Sequence, residues 1–246
     1  MSFNIIKFDE IDSTNDYLKR TYLNYGEKTV IVANYQTSGR GRMNRIWIDS
    51  KNNNLSFSIL LYPKTNEPHS TIALMACASV FEVLSEILPN VVIKWPNDIL
   101  INHKKVCGIL VESIYEGNSI RCIIIGIGIN VNTSFFPTEL KDKATSLWLE
   151  TKQRFDKDKL LDEILKSVEF FYHMFLNNDH SYINICRKNF FLIGKQVDVV
   201  IDQKTKKVRV LNILDNGNLL ISDQGVKKEI FSGEIILSYN SLANSC

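Results

Sequence analysis

Only five cysteines occur in 246 residues (Cys77, Cys107, Cys122, Cys186 and Cys246), an odd number with no CxxC pair. That excludes a disulfide framework and a thiolate zinc site, and reads as reduced, mostly buried thiols of a cytoplasmic protein. The four histidines, His69, His103, His173 and His180, lack metal-ligand spacing, so no residue is assigned to a metal. Long apolar runs are missing too. The longest, residues 123–129, is interrupted by glycine and far shorter than the ~20 residues of a membrane span. The first residues, MSFNIIKFDEID, turn acidic by Asp9 and carry no basic stretch ahead of an apolar one, which excludes a targeting signal. Charge of either sign is not in excess. A net charge of +2 argues against a protein that wraps a polyanion. Neither internal repeats nor low-complexity linkers are visible.

What remains is ordinary globular material, 45% hydrophobic and 23% charged, enough for one large domain or a domain with a small appendage. Residues 12–23 (DSTNDYLKRTYL) open like a helix, with Asp12 or Ser13 able to cap the first turn. The stretch 29–35 (TVIVANY) is short and β-branched, hence a strand, and 55–62 alternates as another. Residues 70–88 are apolar almost all round between a serine and Pro89, the pattern of a helix buried on a sheet. Further strands are expected over 91–95, 99–102, 106–115 and 120–131, the last two joined by a Glu116-Gly117-Asn118 turn, and helices over 155–176 and 182–189. From Ile193 the texture changes to five short strands, 196–201, 207–213, 219–222, 227–231 and 235–237, separated by tight turns. The expectation is an α+β protein with a mixed sheet and flanking helices over 1–189, and a small β-barrel over 190–246.

The chemistry concentrates in five stretches. The first reads QTSGRGRMNRIW, residues 36–47, two glycines and three arginines between a strand and a tryptophan. Glycine admits close approach of backbone amides to a ligand, and arginine forks grip carboxylates and phosphates. KWPNDIL (94–100) sets a lysine, an amide and an acid where proline interrupts a strand. KKVCGILVE (104–112) leads two lysines into an apolar strand. GIGINVN (126–132) bares one face of a strand and ends on Asn130, whose amide both donates and accepts. DSTN (12–15) places hydroxyls and an amide at a helix start. Taken singly, each is ordinary: a basic turn, a solvated lysine, close strand packing, a cap. The glycine pair is not a dinucleotide fingerprint, since the third glycine is missing, and Cys107 has no evident base to make it a nucleophile.

In this order the stretches, together with ATSL (144–147) and SGEIIL (232–237), resemble the biotin–protein ligases closely and over nearly the whole chain. The resemblance implies a class II synthetase-like biotin/lipoate ligase catalytic domain with a C-terminal SH3-like barrel. It implies an enzyme that uses ATP and Mg²⁺ to activate biotin as biotinyl-5′-adenylate, then passes biotin to one lysine of a biotin carboxyl carrier domain. The first step presses a carboxylate against a polyphosphate. At ~4 Å and an effective dielectric near 20, each like-charge pair costs about 4 kcal/mol, so cations must be in place beforehand.

By the family pattern Arg42, Lys105 and Asp98 are the catalytic groups. Arg40 and Arg42 lie along biotin's carboxylate and Lys105 bridges it to the α-phosphate. Ser13, Thr14, Asn15 and Gln36 fix the ureido head, Gly39 and Gly41 free the loop to close, and Ile109 and Val111 sandwich the fused rings. Arg45, Trp47, Lys94, Asn97 and Asn130 serve ATP and the adenylate, with Asn130 on adenine, Trp47 as a flap and Lys94, Asn97 and Asp98 walling the phosphates and the incoming lysine. Asn44 stands where the family loop commonly has glycine, and asparagine tolerates the left-handed region that glycine would supply there. The pattern begins near Phe8, which leaves no room for the DNA-binding domain of some relatives; neither a DNA partner nor a membrane is expected, and a homodimer is left open. The alternative of the same fold is a lipoate or octanoate ligase, whose histidine-bearing motif is absent. A binding module without catalysis is the rival of another class, and the barrel lacks the clustered aromatics of a single-strand binder.

Overall fold

A computed structural model describes residues 3–63, 69–201 and 204–237. The first part of the chain runs β1 (Asn4–Phe8), α1 (Thr14–Thr21), β2 (Thr29–Ala33), β3 (Leu55–Leu61), α2 (His69–Ile87), β4 (Val91–Lys94), β5 (Asp98–Ile101), β6 (Lys104–Glu116) and β7 (Ser119–Ile129). Then come α3 (Leu147–Thr151), α4 (Lys157–Leu176) and α5 (Tyr182–Lys188), followed by β8 (Gln196–Ile201), β9 (Lys204–Ile213), β10 (Leu219–Asp223), β11 (Val226–Ile230) and β12 (Glu234–Ile236). The expected strands and long helices are all present within a few residues. β1 and α3 are additions. NIIKF is a short, largely exposed edge strand, and LWLET is barely more than one turn, so neither carries a periodic signal.

Seven strands form one sheet in the order β1-β2-β3-β7-β6-β5-β4, parallel only between β1 and β2. Five form an antiparallel sheet in the order β11-β10-β9-β8-β12. This is the mixed α+β architecture with a C-terminal β unit.

Because strand side chains alternate between faces, each central strand feeds two environments. Val30, Phe57, Ile59, Ile109, Ile125 and Ile127 point to the large core that α2 and α4 close. Ile31, Leu60, Cys122 and Ile124 point the other way, against Leu18 of α1. Helix α2 is apolar on nearly every side because sheet, α4 and α5 surround it. It is the one helix among the described residues long and apolar enough to cross a membrane, and it is mostly buried in the core. On the α1 face the helix covers β2, β3 and the Cys122–Ile124 part of β7. Farther along, Gly126, Gly128, Gly108 and Leu110 lie beside one another on that face, and their lack of bulk leaves a trough.

Candidate functional site

The trough is the floor of a cleft of about 930 Å³, walled by the start of α1, the 36–48 loop, the β4–β5 turn, the start of β6 and β12. Ser13 is the N-cap of α1, its hydroxyl accepting from the Asp16 amide at 3.4 Å, so its own hydrogen is uncommitted. Thr14 and Asn15 follow on the first turn, both buried. The Thr14 amide and hydroxyl donate to Gln36 Oε1 at 2.8 and 3.1 Å. Gln36 is held in turn by Asp49, whose Oδ2 accepts its backbone N–H at 3.1 Å and the Ser56 hydroxyl at 3.0 Å. Burial pushes the Asp49 carboxyl above its usual range, with these bonds opposing. Gly126 is required here: a Cβ on it would lie 2.1 Å from Asn15 Oδ1.

The arginine loop is a small hairpin. Trp47 donates its backbone N–H to Gly39 at 2.9 Å and Gly41 donates to Arg45 at 2.8 Å. At its tip Met43 and Asn44 take φ of +55° and +59°, so asparagine does occupy the left-handed position. The two loop glycines differ. Gly41 has an extended φ of −123° and ordinary clearance, whereas a Cβ on Gly39 would meet the Trp47 carbonyl at 2.6 Å. Gly39 serves close strand approach and does not itself line the cleft. Each arginine is anchored to a different element. Arg40 pairs with Asp16 of α1 and, at 3.5 Å, with Glu112 of β6. Arg42 donates to Asn97 Oδ1 at 3.1 Å and to the Gly233 carbonyl at 3.4 Å. Arg45 makes a two-pronged pair with Glu234 of β12. Trp47 lies on the glycine floor: Cβ atoms on Gly128 and Gly108 would come within 2.6 and 3.2 Å of its ring. Its Nε1 is buried without a partner among the described residues.

Opposite the loop, Lys105 Nζ reaches Asp98 Oδ2 at 2.9 Å, while the buried Asp98 Oδ1 accepts nothing among the described residues. Lys94 pairs in register with Asp98 across β4 and β5. Burial holds its ammonium below the usual lysine range, Asp98 opposing and Lys105 reinforcing. Burial likewise lowers Arg42, against Asp98 and Glu234. The cleft lining carries seven lysine and arginine side chains (Arg40, Arg42, Arg45, Lys94, Lys104, Lys105 and Lys143) against three carboxylates (Asp98, Asp142 and Glu234). An anionic ligand would relieve that imbalance.

Ser13, Thr14, Asn15, Gln36, Arg40, Gly41, Arg42, Arg45, Trp47, Lys94, Asn97, Asp98, Lys105 and Asn130 all line this one cleft, so residues far apart in sequence converge as expected. Two other expectations change. Ile109 belongs to the large core and also lines the cleft, Val111 packs against that core without lining the cleft, and Leu110 with the bare glycines faces the trough; a one-residue shift along a strand reverses the face. Asn130 donates its amide to the carbonyls of Thr145 at 3.0 Å and Lys105 at 3.4 Å. Only its Oδ1 is left to meet a ligand.

The sequence matches the biotin/lipoate A/B protein ligase family over residues 7–130. It is 36% identical over 244 residues to the bifunctional ligase/repressor BirA of Bacillus subtilis, covering 96% of this chain and 75% of that one. The chain belongs to the biotin/lipoate A/B protein ligase family. The biotin–[acetyl-CoA-carboxylase] ligase of Mycobacterium tuberculosis is 25% identical over 215 residues, covering 84% and 78% of the two chains. In three dimensions the chain is similar to the Aquifex aeolicus biotin protein ligase in complex with biotin and ATP. The TM-score is 0.84 with 33% identity, over 95% of this chain and 97% of that one.

Several side chains that brace this ligase's cleft escaped sequence reasoning. Asp16, Glu112 and Glu234 receive the loop arginines, and Ser58 donates between Thr14 and Asn15. Glu112 and Glu234 fall inside recognised stretches, yet nothing local marks them as partners of the loop. Ser56 and Ser58 had a signal: two hydroxyls two apart in an otherwise apolar strand share one face.

Proposed function

We propose that this protein is a biotin–protein ligase that condenses biotin with ATP and then transfers biotin to a lysine of a biotin carboxyl carrier domain. The observation that carries the reading is the convergence of Arg42 and Lys105 on a cleft whose far end is lined with neutral donors and acceptors. A ureido head needs the latter; a carboxylate meeting a phosphate needs the former.

Among the described residues the Ser13 hydroxyl hydrogen and Gln36 Nε2 have no acceptor, which suits both to a urea carbonyl. The glycine floor and Leu110 receive the fused rings once the Trp47 ring gives way, and the valeryl chain then runs toward Lys105. There Lys105 and Arg42 neutralise the carboxylate as its oxygen attacks the α-phosphorus and the bond to pyrophosphate breaks. Arg45 and Lys94 offset charge on the phosphates. In the second step the carrier's amine attacks the acyl carbon, AMP leaves, and Asp98 orients the amine or takes its proton, directly or through water. The hairpin, pinned at three arginines, excludes water from the mixed anhydride.

Among the described residues no three metal-ligating side chains come together. Asp98 Oδ1, a cleft-lining oxygen without a partner among the described residues, would be the protein oxygen to face a Mg²⁺ ion brought in on the ATP phosphates. Such an ion supplies further screening of phosphate charge. The reading places the reaction in the cytoplasm. The repressor role named for the Bacillus relative is not carried over to this chain.

The deciding experiment incubates the protein with MgATP, a carrier domain and either biotin, lipoate or octanoate, and reads the mass of the carrier. A gain of one biotinyl group on one lysine with biotin alone is expected; a gain with lipoate or octanoate instead would select the alternative ligase. Lys105→Ala should lower adenylate formation by about 10²- to 10³-fold.

A further inference from the structure

We infer that Glu112, a residue outside the reacting groups, is a positioning residue that couples the ureido end of the cleft to the arginine loop. This rests on the reading above.

Glu112 sits on β6 on the face of Gly108 and Leu110, with its side chain 18% exposed. Its two oxygens do different things. Oε2 accepts from Asn15 Nδ2 at 2.9 Å. Oε1 receives the ammonium of Lys19 and, at 3.5 Å, the guanidinium of Arg40 in the loop. Beyond Asn15 the chain of bonds continues inward. Ser58 Oγ stands 2.6 Å from Asn15 Oδ1 and 2.6 Å from Thr14 Oγ1, and Thr14 donates to Gln36 Oε1. The Ser58 hydroxyl has one hydrogen for two equidistant acceptors, so occupancy at Gln36 or Thr14 decides which of them it serves. The Asn15 amide is not free to move aside, because its Nδ2 also donates to the Leu110 carbonyl at 3.4 Å. The load passes to Glu112 and through it to Arg40.

Arg40 would remain attached to α1 through Asp16 without Glu112, and Lys19 alone would satisfy a surface carboxylate. Glu112 adds a link between an amide that borders the ligand and a cation on the lid. Coupling of this kind needs contiguous, low-solvent polar contacts, which these are.

The test compares wild type with Glu112→Gln and Glu112→Asp. Biotin affinity is measured by calorimetry without ATP, loop closure by the rate of tryptic cleavage at Arg40, Arg42 and Arg45 with and without biotin, and folding by thermal melting. Wild type should bind biotin and gain protection; failure of both would overturn the proposed function together with this inference. In E112Q the amide can still accept from Asn15, but the charge facing Arg40 is gone. Biotin affinity should fall about 5- to 20-fold and the biotin-dependent protection should largely disappear. The KM for biotin should rise while kcat at saturating biotin changes by less than about 3-fold. E112D, with charge but shorter reach, should recover part of the protection, and it gives the same comparison should E112Q not fold. A lowered melting temperature with biotin-dependent protection intact would mean a structural role only and would overturn the inference, as would unchanged affinity.

Discussion

A methyl group at position 126 has no room. Gly126→Ala would drive its Cβ into the Asn15 amide, displacing the side chain that Ser58 and Glu112 hold. We expect biotin affinity to fall at least about 10-fold while unfolding free energy drops by about 1–3 kcal/mol, the range for overpacking. Calorimetry and urea melts check the two, and affinity at the wild-type level would refute the geometry. Asn44 invites the opposite experiment. Its φ of +59° is one that glycine adopts freely. Asn44→Gly leaves the folded hairpin intact but widens the ensemble that must be ordered, at about 0.4–1 kcal/mol. A biotin Kd raised by about 2- to 5-fold is expected, with tighter binding counting against an ordering role. Residue identities in the cleft were legible because the motifs carry them. Their partners were not: Glu112 lies 97 positions from Asn15 and Glu234 lies 189 from Arg45. Local pattern holds no trace of such pairs until the sheet order is known.

At the scale of elements, β4, β5 and the turn between them carry both a lysine with depressed basicity and a carboxylate with an idle oxygen. The sign of the Lys94 effect follows from burial. Its folded-state value lies below the unfolded one, so the stability this group contributes is present above the unfolded value and is lost as pH falls through the folded one. A phosphate arriving beside Lys94 opposes the depression, so ATP binding at a pH between the ammonium's ligand-free and ligand-bound values should take up protons. Calorimetry in buffers of different ionisation heat measures the uptake, which Lys94→Met should reduce; binding heats independent of buffer would contradict it. Elements with a clear local signal were legible, as the long apolar run of α2 and the alternating β8 illustrate. Val111 misses the cleft that Ile109 lines, because an apolar strand covered on both sides reads alike on each face. Only the glycines of the neighbouring β7 tell which face is the trough.

Across the whole molecule the core is continuous from the large sheet into the small one: Val197, Val208 and Ile221 belong to the same apolar cluster as Ile125 and Leu84. Beside the Arg42–Gly233 and Arg45–Glu234 contacts, a further polar contact joins the two near the site. Trp95, 1% exposed and next to Lys94, donates its indole N–H to the Gly217 carbonyl at 2.9 Å. Trp95→Phe leaves that carbonyl without its donor and should cost about 1–3 kcal/mol, lowering the urea midpoint with little change in slope. An unaltered midpoint would mean that the contact is dispensable. Gly217 itself, at φ +79°, lies against the Ser70–Thr71 backbone at the head of α2, where a Cβ would stand 2.8 Å from the Ser70 carbonyl carbon.

That indole bond also bears on inheritance. The turn bearing Lys94 and Asp98 is braced by a tail it does not touch in sequence, and the tail lends Gly233 and Glu234 back to the lid. A recombinant that grafts a relative's tail onto this head would swap the brace and the latch in one stroke, so such chimaeras should lose the enzyme unless both seams are exchanged together.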